Sequence, residues 1–411
     1  MRWQGRIRRG LPLLLAAAAI APVQPAHAAK HMEVAISDNP VFLYRAFYDR
    51  ARAFRQSRPL AVTRLRVMLP WSSAVGPKQA KKRKAPAVAV YYLKKWDDVI
   101  DAAAAHGIRV ELRLAGPAPA FATSNHKIGP MRPSPKLFGE FAAAMATHFK
   151  GRVDRYGVWN EPNYRTWLSP MKKSPQLYRR LYQAGYRAIK KADPAAAVLI
   201  GETAPYAIKG NSIAPLAFLR KMAGAGKGTL HADGYAHHPY DFTHRPSYRY
   251  PGADNVTIGT LGRLTKTLDR LRHSKKLVAP KDHHMTLELT EFGYLVTGRR
   301  KIPESRAAKY LRKAFAIAQH NRRVTQMLQY VFVRPPKHYR TAFFDTGILN
   351  RKGSRRKPYR SLADWVKGAA KRGAVARPGG PIALPPAPPS GDSPGQQPTE
   401  PGPLLPPLPF P

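Results

Sequence analysis

The chain has no cysteine among its 411 residues. That excludes a disulfide framework, a thiolate metal site and a cysteine nucleophile. A chain of this length buries a large core and needs no such staples. Acidic residues are scarce: 24 Asp and Glu face 70 Lys and Arg, a formal net charge of +46. That imbalance calls for a polyanionic partner, whether nucleic acid, an anionic surface or an acidic polysaccharide. No apolar run reaches the ~20 residues that cross a bilayer. No Gly-rich phosphate loop opens a predicted helix, and no His-Glu-x-x-His or comparable metal spacing occurs. What is present is a hydrophobic content of 44% and an aromatic content of 10%, enough to exclude global disorder.

The two ends differ from the middle. Residues 1–28 read as an export signal. Arg2, Arg6, Arg8 and Arg9 form a basic start, Leu11 to Ala21 is apolar but short, and Ala26-His27-Ala28 is a small-x-small cleavage pattern. The expectation is a secreted or envelope-associated protein without a stable membrane span. Residues 378–411 are Pro-rich, with Pro385-Pro386, Pro388-Pro389 and Pro406-Pro407, and hold no Lys or Arg. Such a tail is expected to be extended or disordered. The basic signal and a tail whose charges are Asp392 and Glu400 leave residues 29–377 with a net charge of +44. The charge belongs to the folded part.

Residues 29–377 read as eight strand–helix repeats. Short β-branched or apolar runs recur at Glu33–Ile36, Thr63–Leu69, Arg109–Leu114, Arg155–Trp159, Ala197–Gly201, Asp233–His237, Met285–Thr290 and Thr325–Val333. Helical patterns fill the intervals at Tyr91–Ala105, Pro135–Phe149, Leu177–Ile189, Asp254–Leu271 and Ser305–Gln319. This alternation predicts an α/β fold, a single (β/α)8 TIM barrel; a doubly wound open sheet is the alternative.

In such a barrel the chemistry sits where strands end. The fourth predicted strand ends in Trp159-Asn160-Glu161-Pro162-Asn163, and the seventh in Leu289-Thr290-Glu291-Phe292-Gly293. A Glu closing an apolar strand is costly unless it has a function or a partner. Strands four and seven face each other across a closed barrel, so both carboxyl groups can converge on one pocket. Two converging carboxylates are what glycoside hydrolysis requires.

Trp159-Asn160-Glu161-Pro162 followed by Thr290-Glu291-Phe292-Gly293 resembles the clan A glycoside hydrolases, retaining enzymes on TIM barrels, in the style of cellulase-like and family 39-like members. The resemblance implies Glu161 as general acid/base and Glu291 as nucleophile, with no cofactor or metal. It implies that Asn160 binds the sugar 2-hydroxyl. Tyr235-Ala236-His237-His238-Pro239-Tyr240 resembles a sixth-strand motif in which His238 and Tyr240 border the site, with Tyr240 holding Glu291. Arg64 or Arg66 resembles the arginine beneath the nucleophile, and Arg64 is preferred. An arginine and a tyrosine hydroxyl keep Glu291 ionised, while Glu161, beside that charge, should hold its proton.

One departure stands out. Clan A members usually end the eighth strand in a tryptophan platform; here Met327 to Arg334 has none, and Tyr330 or Phe332 takes its place. Trp71 and Trp167 are further candidates for stacking on sugar, and Glu202, closing the fifth strand, for lining the pocket. The basic runs Lys78–Lys84 and Arg351–Lys357 have no nucleic-acid module beside them. The expected partner is a carbohydrate, an acidic glycan or cell wall, and not nucleic acid. A non-catalytic glycan- or polyanion-binding barrel is the rival reading.

Overall fold

The structure is a computed structural model that describes residues 30–337, 339 and 344–391. The expected export signal lies outside the described residues. Eight strands close a barrel: β1 (Glu33–Ser37), β2 (Val62–Pro70), β3 (Arg109–Ala115), β4 (Arg155–Val158), β5 (Ala197–Thr203), β6 (Gly234–His237), β7 (Leu287–Leu289) and β8 (Val324–Tyr330). Each is parallel to its neighbours, and β8 returns to pair with β1. One longer helix follows each strand: α1 (Arg50–Ser57), α2 (Lys94–Ala104), α3 (Pro135–His148), α4 (Ser174–Ala192), α5 (Pro215–Gly224), α6 (Leu261–His273), α7 (Glu304–His320) and α8 (Lys357–Lys371). The fold is a (β/α)8 barrel.

The strands fall within a few residues of the sequence expectation because a sheet buried on both faces needs apolar runs. Helices α1, α5 and α8 lie outside the five helical patterns of the sequence. α1 buries only Ala53, Phe54 and Ser57, too little for a periodic apolar pattern, and α5 is a short run of nearly uniform apolar character. The helix expected from Asp254 starts later. Thr257 and Thr260 cap a single turn reciprocally, and α6 begins at Leu261. Two short segments, Leu230–His231 and Leu277–Val278, form a separate parallel pair outside the barrel.

The barrel interior is polar. On β2 the aliphatic Leu65, Val67 and Leu69 pack into the core while Arg64 and Arg66 reach residues of other strands. Arg66, Glu111 and Arg155 lie in register on β2, β3 and β4. The layers that side chains of alternate strands build inside such barrels are filled here by ion pairs as well as hydrocarbon. Gly157 on β4 belongs to this arrangement, because a Cβ there would collide with the Glu202 carboxylate.

The first part of the Pro-rich segment, residues 378–391, is extended and laid against the barrel. Ile382 N–H donates to the Ala104 carbonyl, Arg152 Nη1 to the Pro385 carbonyl and Gly391 N–H to the Tyr91 carbonyl. Leu384 packs on the core. Gly107, at φ +72°, ends the loop after α2 where a Cβ would meet the backbone of Gly379. The remaining tail lies outside the described residues.

Candidate active site

The two strand-end glutamates meet in one cleft of about 650 Å3, lined also by Asn160, Tyr240 and Tyr330. Glu161 follows β4 with φ +35°, Trp159 lies at +69°, and Glu202 in β5 at +50°. Non-glycine residues in this left-handed region are strained, and three of the chain's described examples sit together at this rim of the barrel. Glu161 N–H donates to the Glu202 carbonyl, which ties the β4 turn to the neighbouring strand.

Glu291 is gripped on both oxygens. Arg66 Nη1 donates to Oε1 at 2.9 Å and Arg113 Nη1 to the same oxygen at 3.0 Å. Tyr240 Oη–H donates to Oε2 at 3.2 Å. Burial alone would raise this carboxyl's pKa, but the positive charges of His238, Arg66 and Arg113 outweigh it and hold it down at about 2.

Glu161 has a different partner. His238, fully buried, places Nδ1 3.0 Å from Glu161 Oε1 and Nε2 3.0 Å from Glu202 Oε2. The same Nδ1 is 3.8 Å from Glu291 Oε2. Burial would depress the imidazole, yet Glu291, Glu161 and Glu202 around it raise its pKa to about 9. The shared Nδ1 caps the separation of Glu161 Oε1 and Glu291 Oε2 at about 7 Å.

The expected site residues divide into three groups. Asn160, Glu161, Glu291, Tyr240, Trp167 and Tyr330 line the cleft. Between Tyr330 and Phe332 the structure decides for Tyr330; Phe332 is buried against Phe42. Glu202 was expected to line the pocket and instead lies beneath it, while His238 borders the site from below through Glu161 and Glu291. Glu202 Oε2 accepts from Arg66 Nη2 at 2.5 Å and from Thr290 Oγ1 at 3.1 Å, and no part of the residue is exposed. Arg64 and Trp71 are elsewhere. Arg64 binds Glu33 and Asp154 at the opposite end of the barrel, where β1 and β4 begin, so the arginine under Glu291 is Arg66. Two residues along a strand place both side chains on the same face but at different depths, and depth decided this case. Trp71 is buried and stacked on Phe141 at 5.4 Å. It belongs to the packing between the β2 exit and α3, a position that no local pattern separates from a rim aromatic.

Arg113 escaped the sequence reading, although Arg109, Glu111 and Arg113 alternate with apolar residues along β3 and so mark a charged inward face. The apolar wall formed by Met68, Tyr164, Tyr206, Phe242 and Phe344 was also missed, because it comes from strand and loop segments far apart in sequence. Among the described residues no group of three His, Asp or Glu side chains could hold a metal ion.

No family model matches the sequence, and no curated protein does. Solved structures do match. A family 39 glycoside hydrolase from the gut symbiont Bacteroides cellulosilyticus WH2 superposes with a TM-score of 0.63 at 20% identity, over 82% of this chain and 64% of that one. This chain thus spans less than two thirds of that protein's length. A monomeric beta-xylosidase from Caulobacter crescentus CB15 gives 0.56 at 18% identity, over 83% and 69%. A glucosidase from Croceicoccus marinus gives 0.58 at 15%, over 84% and 69%. The chain is similar in fold to these solved glycosidase structures, family 39 among them.

Proposed function

We propose that the protein is a retaining glycoside hydrolase in which Glu291 is the nucleophile and Glu161 the general acid/base. The observation that carries the proposal is the different treatment of the two carboxylates within one cleft. Glu291 has two arginines and a tyrosine hydroxyl holding it as an anion, whereas Glu161 has one imidazole on one oxygen.

The chemistry follows from those contacts. With Oε1 of Glu291 tied to both arginines, Oε2 is the oxygen free to attack the anomeric carbon once Tyr240 yields. His238 donates to Oε1 of Glu161 and leaves Oε2 to carry the proton to the departing oxygen. A covalent glycosyl-enzyme forms on Glu291. Glu161, now a carboxylate, removes a proton from water, and that water cleaves the intermediate with net retention. The cap of about 7 Å on the separation of Glu161 Oε1 and Glu291 Oε2 is compatible with the ~5–5.5 Å between the carboxyl groups of retaining enzymes. A pure glycan-binding barrel would give two buried arginines no reason to converge on one cleft carboxylate.

The substrate is a β-linked poly- or oligosaccharide met outside the cell. Its sugar faces stack on aromatic walls such as Trp167 and Tyr330. Both basic runs, Lys78–Lys84 and Arg351–Lys357, fall in the segments that join β2 to α2 and β8 to α8, and an acidic glycan would complement their charge. A screen of aryl β-glycosides and of acidic and neutral polysaccharides tests the reading. Hydrolysis with retained anomeric configuration supports it. Glycan binding without hydrolysis of any member would replace it with a binding function.

A further inference from the structure

We infer that the loop from Gln79 to Val90, between β2 and α2, docks the protein on an anionic phospholipid surface. The inference stands apart from the glycosidase reading and makes no use of the cleft. Lys81, Lys82, Arg83 and Lys84 are all exposed, and Lys78, just before the loop, is exposed as well. No Asp or Glu occurs from Trp71 to Trp96. Among the described residues none of these five cationic side chains has a partner.

The fold holds these cations together. Tyr92 N–H donates to the Ala74 carbonyl at 2.8 Å, and Ala80 N–H to the Gly76 carbonyl at 2.9 Å. Gln79 Nε2 donates to the Val90 carbonyl at 3.4 Å and closes the neck of the loop. The ends of the loop are thus pinned to each other, and its four consecutive cations form a fixed patch on the barrel.

Charge alone would suit any polyanion. The same loop also carries Val88 at 80% exposure, and Val90 at its neck is 45% exposed. These are two of the three large hydrophobic residues that the described structure leaves exposed. A valine side chain makes no hydrogen bond to a sugar or a phosphate, and it gains only by entering an apolar phase. Cations beside exposed aliphatic groups match a bilayer surface, where phosphates meet the cations and acyl chains receive the valine. An acidic glycan answers the charge and leaves Val88 in water. The second basic run differs. Arg356 is held by Asp345 and Glu304, and Arg355 lies over the Tyr359 ring. That run is partly built into the fold, and no exposed large hydrophobic accompanies it.

The test is sedimentation of the full chain with vesicles of phosphatidylcholine and phosphatidylglycerol in a three-to-one ratio, against vesicles of phosphatidylcholine alone. At a net charge of +46 any surface cation adds some binding, so two charge-matched variants are compared, each checked for folding by circular dichroism. One carries Lys81→Gln, Lys82→Gln, Arg83→Gln and Lys84→Gln. The other carries Arg306→Gln, Lys309→Gln, Arg312→Gln and Lys313→Gln, which remove four exposed cations from α7. The loop variant should lose roughly 100-fold or more in partition onto the mixed vesicles, at about fivefold per cation near the surface. The α7 variant should lose less than about fivefold, since attraction fades beyond a Debye length. Val88→Gln, with its charge unchanged, should lose roughly fivefold; it carries the comparison if the loop variant does not fold. Equal losses in the two charge variants, or no loss in Val88→Gln, would overturn the inference. So would a wild type that leaves the mixed vesicles unbound while holding polygalacturonate through the loop, which would assign the loop to an acidic glycan. Vesicle binding seen only after removal of residues 392–411 would overturn it too. That result would assign the loop to the segment that follows Gly391, whose N–H donates to the Tyr91 carbonyl.

Discussion

The Nδ1 of His238 stands 3.0 Å from Oε1 of Glu161 beneath the floor of the cleft. The ring's other nitrogen binds Glu202, and a third carboxylate, Glu291, lies within 3.8 Å. One buried imidazolium thus neutralises part of a cluster that would otherwise repel itself.

The relationship has a pH signature. The imidazole's pKa is raised from its ordinary 6.5 to about 9 in the folded protein. Its stabilising contribution is therefore complete below about pH 6.5 and is lost as pH rises through about 9. Thermal melts across pH 6–10 should show stability falling over that window. In His238→Gln the decline should be shallower. An equally steep decline in that variant would assign the effect to other groups.

Arg66 and Arg64 should behave differently despite their spacing. Arg66→Met should cut kcat by roughly 100-fold or more, because the carboxylate it holds is the reacting one. Arg64→Met should leave kcat nearly unchanged and lower stability by roughly 2–4 kcal/mol, the scale of a broken, partly screened ion pair. Steady-state kinetics and urea titrations of both variants distinguish the two roles.

Glu161→Ala should slow hydrolysis of natural glycosides by roughly 10²–10⁴-fold. Aryl glycosides with good leaving groups should lose less, since they need little protonation. Azide should restore turnover and yield a glycosyl azide, whose absence would argue that Glu161 does not face the leaving group.

Removing residues 378–411 should lower the melting temperature by roughly 2–5 °C without changing kcat. The described part of this segment covers Arg152, Gly107 and the α2 surface through Ile382, Leu384 and Pro385, far from the cleft. Calorimetry of the truncated and full-length chains measures the difference.

Much of this architecture was legible in sequence because each barrel strand is a short apolar run with a turn behind it. The two glutamates were legible because each closes such a run, where an unpaired charge is expensive. Local pattern could not give depth. Arg64 and Arg66 share an inward face, and only the closed barrel shows that one serves the base and the other the rim. Trp71 follows β2 as a rim residue would, yet a one-turn helix, Trp71–Ala74, folds it back onto Phe141. Glu202 ends its strand like Glu161 and Glu291, but three partners hold it below the surface. Arg113 was visible as a charge in an alternating strand, and its two acceptors just beyond the ends of β4 and β7 were not.

The central claim is that Glu291 becomes covalently bonded to the sugar. The most direct measurement is incubation of the full-length protein with activated 2-deoxy-2-fluoro-β-glycosides matched to a substrate it hydrolyses, followed by mass mapping of the peptides. The account predicts one glycosyl adduct per chain, on Glu291, and none in Glu291→Gln. Hydrolysis that proceeds with no adduct, or with the adduct on another residue, would contradict it.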